Sequence, residues 1–155
     1  MSDLGDLLAP ERVHAGVAAA NKKMLLQQLG QLSAQTLGLP ARLVADRLLD
    51  RERLGSTGFG GGVAIPHGRM AGLAGVSGVF VRLAQPIDYG AVDGAPVDLV
   101  FLLLSPEVGG AEHLKALARV SRQMRDPGFT AKLRGAGSPD ALYALLAAAE
   151  IRGAA

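Results

Sequence analysis

Residues 50–70 read DRERLGSTGFGGGVAIPHGRM, and the rest of the chain is best read outward from them. Six glycines, Gly55, Gly58, Gly60, Gly61, Gly62 and Gly68, fall in this stretch, out of 21 in 155 residues. That total is about twice the average usage of roughly 7%, yet Gly and Pro together stay below the level that marks disorder. The glycines are therefore local devices, placed where left-handed backbone or close approach is required. The segment ending at Arg53 reads as the last turn of a helix, VAIP (63–66) as a short strand, and His67 as a residue at that strand's end. Function is to be sought here.

Upstream, Leu4, Leu7 and Leu8 share a helical face in an opening segment that Pro10 ends, and VHAGVAAA (13–20) has no clear period. Asn21 is placed to cap a helix over KKMLLQQLGQLSAQTL (22–37), with Leu25, Leu29 and Leu32 inward and Gly38 ending it. Pro40 opens a second helix, PARLVADRLLDRE, whose Leu43, Val44, Leu48 and Leu49 face the core. Downstream, GVFVRLAQP (78–86) reads as a strand, Asp93-Gly94 as a turn, and 97–104 as a strand apolar enough to be central. From Ala111 the period becomes helical, with Leu114, Leu117, Ala118, Ser121 and Met124 on one side and Pro127-Gly128 closing the helix. FTAKLRG (129–135) is a brief segment; Ser138 and Pro139 then open a last helix with Leu142, Leu145 and Leu146 inward. The expectation is one α/β domain over residues 1–155, with a small mixed β-sheet sandwiched between helices.

Composition excludes several functions. Sixteen Lys and Arg against 14 Asp and Glu are scattered instead of forming runs, and there is no Trp, which argues against a nucleic-acid partner. With no cysteine there is no disulfide, thiolate nucleophile or Cys-type zinc site. The N-terminus MSDLGDLLAPERV lacks the basic start of a signal peptide, and no stretch approaches 18 apolar residues, so a soluble, cytoplasmic chain without stable membrane insertion is expected.

His67, between Pro66 and Gly68, is held by constrained backbone with one side open. An imidazole of ordinary pKa near 6.5 is largely neutral at cytoplasmic pH and can attack phosphorus or act as a base; the bland alternative is a histidine packed at a strand end. Ser56, Thr57 and Gly58 could offer hydroxyl and N–H donors to an anion, or merely form a flexible loop. Arg51 ends its helix within reach of phosphate oxygens, or serves only the helix C-terminus. His113, at the start of its helix, reads equally as an anion-site residue and as a surface histidine. His14 lacks comparable context and reads as structural. No Walker or dinucleotide fingerprint occurs, the histidine spacings match no zinc motif, and Gly75 to Val79, G-V-S-G-V, fails the serine-hydrolase elbow. No cofactor or metal is expected.

The 50–70 stretch resembles the phosphorylation-site region of the enzyme IIA proteins of fructose, mannitol and nitrogen-related phosphotransferase systems. The resemblance continues through ANKKMLLQQLG, PIDYGAVDGAPVDLVFLLLSPE, EHLKALARVSRQMRD and SPDALYALL, and its wording is closest to the stand-alone nitrogen-regulatory branch. It implies that His67 accepts a phosphoryl group on Nε2 from a phosphorylated HPr-like carrier, itself charged by an enzyme I that uses phosphoenolpyruvate. It implies that Arg51 and His113 are the site arginine and second site histidine, and that Ser56, Thr57 and Gly58 are the phosphoryl-binding loop. Gly61 departs from the asparagine common in the branch, so no side-chain role is carried over there. The implied activity is histidine phosphoryl transfer that regulates target proteins. The alternatives are a sugar-transport IIA passing phosphate to a IIB protein, and a binding module that no longer turns over.

Overall fold

A computed structural model describes residues 4–148; the closing RGAA (152–155) lies outside them. After 3-10 turns at Leu4–Leu7 and Pro10–Arg12 come β1 (Val13–Val17), α1 (Lys22–Leu37), α2 (Ala41–Arg53), β2 (Gly58–Gly60), β3 (Val63–Ala64) and β4 (His67–Met70). Then follow β5 (Ser77–Ile87), β6 (Val97–Pro106), α3 (Ala111–Met124), α4 (Pro127–Gly135) and α5 (Pro139–Ala147).

β6 is apolar from Leu99 to Leu104 because both its faces are covered there. Leu99, Phe101 and Leu103 point into a core with Val120, Leu133, Leu142 and Leu146 of α3, α4 and α5, and with Leu4 and Leu7. Val100, Leu102 and Leu104 point the other way, among Leu25, Leu29, Val44 and Leu48 of α1 and α2. All six β6 side chains are fully buried, so replacing one of the leucines with alanine would cost about 2–5 kcal/mol. The sheet runs β1-β5-β6-β3-β2, with β4 also on β6. β5 is antiparallel to β6, whereas β1 is parallel to β5 and both β3 and β4 are parallel to β6. The mixed sheet between helical layers is the architecture expected from the sequence.

Local signals hold where a side chain caps or a strand is fully buried. Asn21 caps α1 through Met24 N–H, Gly38 ends it, and Ser138 caps α5 through Ala141 N–H. Elsewhere the structure corrects the reading. VHAGV is a strand, β1, paired only along β5, and Pro10 opens a second 3-10 turn instead of ending the first segment. FTAKLRG lies within α4, which Asp126 caps and Pro127 begins. Leu43 and Leu114 are exposed, at 41% and 66%. The buried stripe of α2 is Val44, Ala45 and Leu48, and that of α3 is Ala116, Val120 and Met124. His67 opens a strand instead of closing one.

Candidate functional site

β3 and β4 lie end to end along one edge of β6. Val63 and Ala64 face Leu99 and Val100, and His67 to Met70 face Leu103 to Pro106. Between them Pro66 has no N–H to give to a ladder; its carbonyl accepts from Leu103 N–H at 3.0 Å. The strand is interrupted at residues 65 and 66 and resumes at His67. There the His67 Nδ1 lies 2.9 Å from the Ile65 carbonyl oxygen, and the Arg51 Nε donates to His67 Nε2 at 3.3 Å. A carbonyl only accepts and a guanidinium only donates, so both contacts select one tautomer: proton on Nδ1, lone pair on Nε2. Burial lowers the His67 pKa from its ordinary 6.5; the Ile65 hydrogen bond opposes this, Arg51 adds to it and Glu52 opposes it. The lowered pKa favours the neutral ring at pH 7, with the Nε2 lone pair turned to an arginine.

Arg51 occupies the last turn of α2, and its second arm donates through Nη1 to the Gly55 carbonyl at 2.9 Å. It thus ties the loop to the imidazole. His113, in the first turn of α3, faces His67 with ring centroids 5.6 Å apart and planes at 52°. Its Nδ1 is hydrogen-bonded to the hydroxyl of Ser105, which is buried near the end of β6. Burial lowers the His113 pKa, and His67 and Arg69 push it the same way. His67, Arg51 and His113, from a strand, a helix end and a helix start, therefore converge on one point.

The loop residues behave differently from expectation. Thr57 is buried, its hydroxyl meets the Glu52 carboxylate and lies 2.8 Å from the Tyr89 hydroxyl, and its N–H donates to Glu52 Oε1 at 3.2 Å. The Gly58 N–H donates to Ser56 Oγ at 3.1 Å. The Thr57 donors thus serve Glu52 of α2, and the Gly58 N–H serves Ser56 within the loop, so these groups are already engaged in the fold. Gly58 is required for a steric reason: a Cβ there would stand 2.9 Å from that of Ala91. Further along, Gly62 at φ +81° has Arg134 and Asp98 where a Cβ would be.

Sequence reasoning missed Glu52, Lys22 and Tyr89. The Glu52 side chain is 4% exposed and receives Lys22 Nζ at 2.9 Å and the Tyr89 hydroxyl at 3.2 Å. A signal existed: Glu52 stands four residues after Leu48, on the buried stripe of α2, where a carboxylate needs partners. Lys22 begins α1, where the helix dipole disfavours a cation, and its pairing with Glu52 offsets that. His14 lies in β1, paired along β5 away from this site, and its pKa is lowered by burial. A cavity of about 740 Å3 adjoins His113 on a side lined by Arg69, Ser105, Lys115 and Arg119 but not by His67. Among the described residues no cluster of His, Asp or Glu side chains is set to hold a metal ion, and no helix is long and apolar enough to cross a membrane.

A histidine and an arginine thus meet at a strand break, with a second histidine opposite, on a mixed sheet between helices. Residues 6–149 match the family described as phosphoenolpyruvate-dependent sugar phosphotransferase system, EIIA 2, and the chain belongs to that family. It is 49% identical over 142 residues to the nitrogen regulatory protein of Bradyrhizobium diazoefficiens, covering 92% of this chain and 93% of that one. The crystal structure of nitrogen regulatory protein IIA-Ntr from Neisseria meningitidis superimposes with a TM-score of 0.86 at 36% identity, over 92% of this chain and 98% of that one. The complex of enzyme IIA-mannitol with phosphorylated enzyme IIB-mannitol from Escherichia coli shares the fold, with a TM-score of 0.75 at 22% identity, over 91% of this chain and 99% of the matched one.

Proposed function

We propose that this chain is a single-domain, cytoplasmic histidine phosphocarrier that takes a phosphoryl group on His67 Nε2 from a phosphorylated HPr-like protein and regulates target proteins by its phosphorylation state. The observation that carries the reading is the paired engagement of His67, with Nδ1–H on the Ile65 carbonyl and the Nε2 lone pair beside Arg51. The Nε2 electron pair forms the N–P bond as the donor's P–N bond breaks and its electrons return to the donor ring. The Nδ1 proton stays against Ile65, so positive charge develops on the His67 ring. Arg51 keeps its proton and redirects its Nε–H hydrogen bond from His67 Nε2 to the equatorial phosphoryl oxygens, whose charge it offsets. His113, whose Nδ1 is hydrogen-bonded to the Ser105 hydroxyl, faces the same oxygens, and in the tautomer where Ser105 is the donor it offers them its Nε2–H. Catalysis here is positioning and electrostatics.

Family membership supports the phosphotransferase class, and the names of the similar proteins support the regulatory role over sugar transport. The test is intact-mass measurement after incubation with phosphoenolpyruvate, enzyme I and an HPr-like carrier, alongside His67→Ala. One acid-labile phosphoryl group on the wild type alone is expected. No mass gain from a competent donor would overturn the phosphocarrier reading in favour of a binding module, and rapid onward transfer to a IIB protein would assign the chain to sugar transport.

A further inference from the structure

The buried cluster behind the site goes beyond the roles of His67, Arg51 and His113. Glu52 is adjacent in sequence to Arg51, and its carboxylate gathers Lys22 from the start of α1, the Tyr89 hydroxyl, and both the N–H and hydroxyl of Thr57. Lys22 also lies 4.4 Å above the Tyr89 ring. Buried polar clusters of this size hold shape only when their members are paired, and these pairings fix the loop at residues 55–57. That loop supplies the Gly55 carbonyl holding the far arm of Arg51, whose near arm rests on His67.

We propose that Glu52 is a positioning residue of the phosphoryl-transfer site, anchoring the loop that aims Arg51 at His67. The inference rests on His67 being the acceptor. Two effects are separable. The anchorage holds the guanidinium where the phosphoryl oxygens arrive, so that little reorganisation is needed. The charge favours the developing cation on the ring, in opposition to Arg51, which disfavours it until the phosphoryl group is present; Glu52 and Arg51 accordingly push the His67 pKa in opposite directions. Arg51 of α2 touches the His67 ring and His113 of α3 faces it, while Glu52, paired with Lys22 of α1, acts on it through charge alone.

The experiment compares Glu52→Gln and Thr57→Val with the wild type in the full chain, by NMR titration of the His67 ring and by single-turnover phosphoryl uptake from the HPr-like carrier. Glu52→Gln removes the charge: the His67 midpoint moves to lower pH, and uptake at saturating donor slows by about tenfold with donor affinity unchanged. Thr57→Val keeps the charge but loosens the loop: uptake slows and the His67 midpoint stays in place. A Glu52→Gln protein with the wild-type midpoint and the wild-type rate overturns the proposal, as does a loss confined to donor affinity. Should Glu52→Gln not fold, Tyr89→Phe with Thr57→Val must slow uptake, and a wild-type rate in that pair is equally fatal. If the wild type takes up no phosphoryl group at all, the phosphocarrier reading falls, while the titration still reads whether Glu52 acts on His67.

Discussion

The two ends of the glycine stretch are alike in composition and are held by opposite means. At the front, Thr57 binds a nearly water-excluded carboxylate, Glu52, and the Gly55 carbonyl holds Arg51 against the site. At the back, Gly61 N–H donates to Asp93 at 3.1 Å on the surface. Arg134 there grips the Gly61 carbonyl at 2.8 Å and both oxygens of Asp98 at 2.8 and 2.9 Å. Hydrogen bonds to a buried charge are not shared with solvent, whereas exposed ion pairs are screened and replaceable. The front therefore holds a fixed geometry around Arg51 and His67, and the back closes a turn.

The largest expected separation comes from Arg51→Ala, which leaves the fold intact but slows phosphoryl uptake by about a hundred- to a thousand-fold, the usual cost of losing a principal oxyanion donor. Stopped-flow transfer at the wild-type rate would remove Arg51 from the site. Gly58→Val comes next: a branched side chain driven into Ala91 and Tyr89 should destabilise the domain by about 1–3 kcal/mol in urea unfolding, and an unchanged midpoint would show that the contact yields.

Acid distinguishes the two ends as well. Burial holds His14, His67 and His113 below 6.5, so below that pH the unfolded chain binds protons that the folded one refuses. Stability should be flat above about pH 7 and decline as pH falls from 6.5 through the folded-state values. His67→Ala should soften that decline in a melting-temperature series, and an equal slope in both proteins would contradict it. Asp93, held low by the N–H groups of Ala95 and Gly61, stays ionised through this window, so the back end is unaffected. The smallest effect belongs to Arg134→Ala: with Arg134 36% exposed, the loss should be about 1 kcal/mol or less and uptake should keep its wild-type rate. Slowed uptake here would mean that the back end also positions the site.

What could be read in the sequence follows the same division between local and remote causes. β6 announces itself because both faces are buried, and α1 and α5 because single side chains cap them. β1 is illegible because it pairs along β5 alone and buries only Val13 fully. Position 67 is misplaced because HGRM carries no β-branched residue and becomes a strand only through its ladder to Leu103 to Pro106. The α3 stripe is misread because Leu114 is exposed while His113 turns toward Ser105. His67 stands out from its glycine and proline setting, whereas Arg51 and His113 are singled out only by the family resemblance, and the fold brings all three side chains together. The Glu52 cluster joins positions 30 and 37 residues apart, and only the carboxylate on an apolar stripe hints at it.

The central claim is that His67 rests as the Nδ1–H tautomer with Nε2 presented for transfer. The direct measurement is 15N NMR of the imidazole-labelled protein at neutral pH, before and after phosphorylation. The account predicts a protonated Nδ1 and a bare Nε2 before, and a phosphorus-coupled Nε2 after. A resting ring protonated on Nε2, or a phosphoryl group on Nδ1, would contradict it.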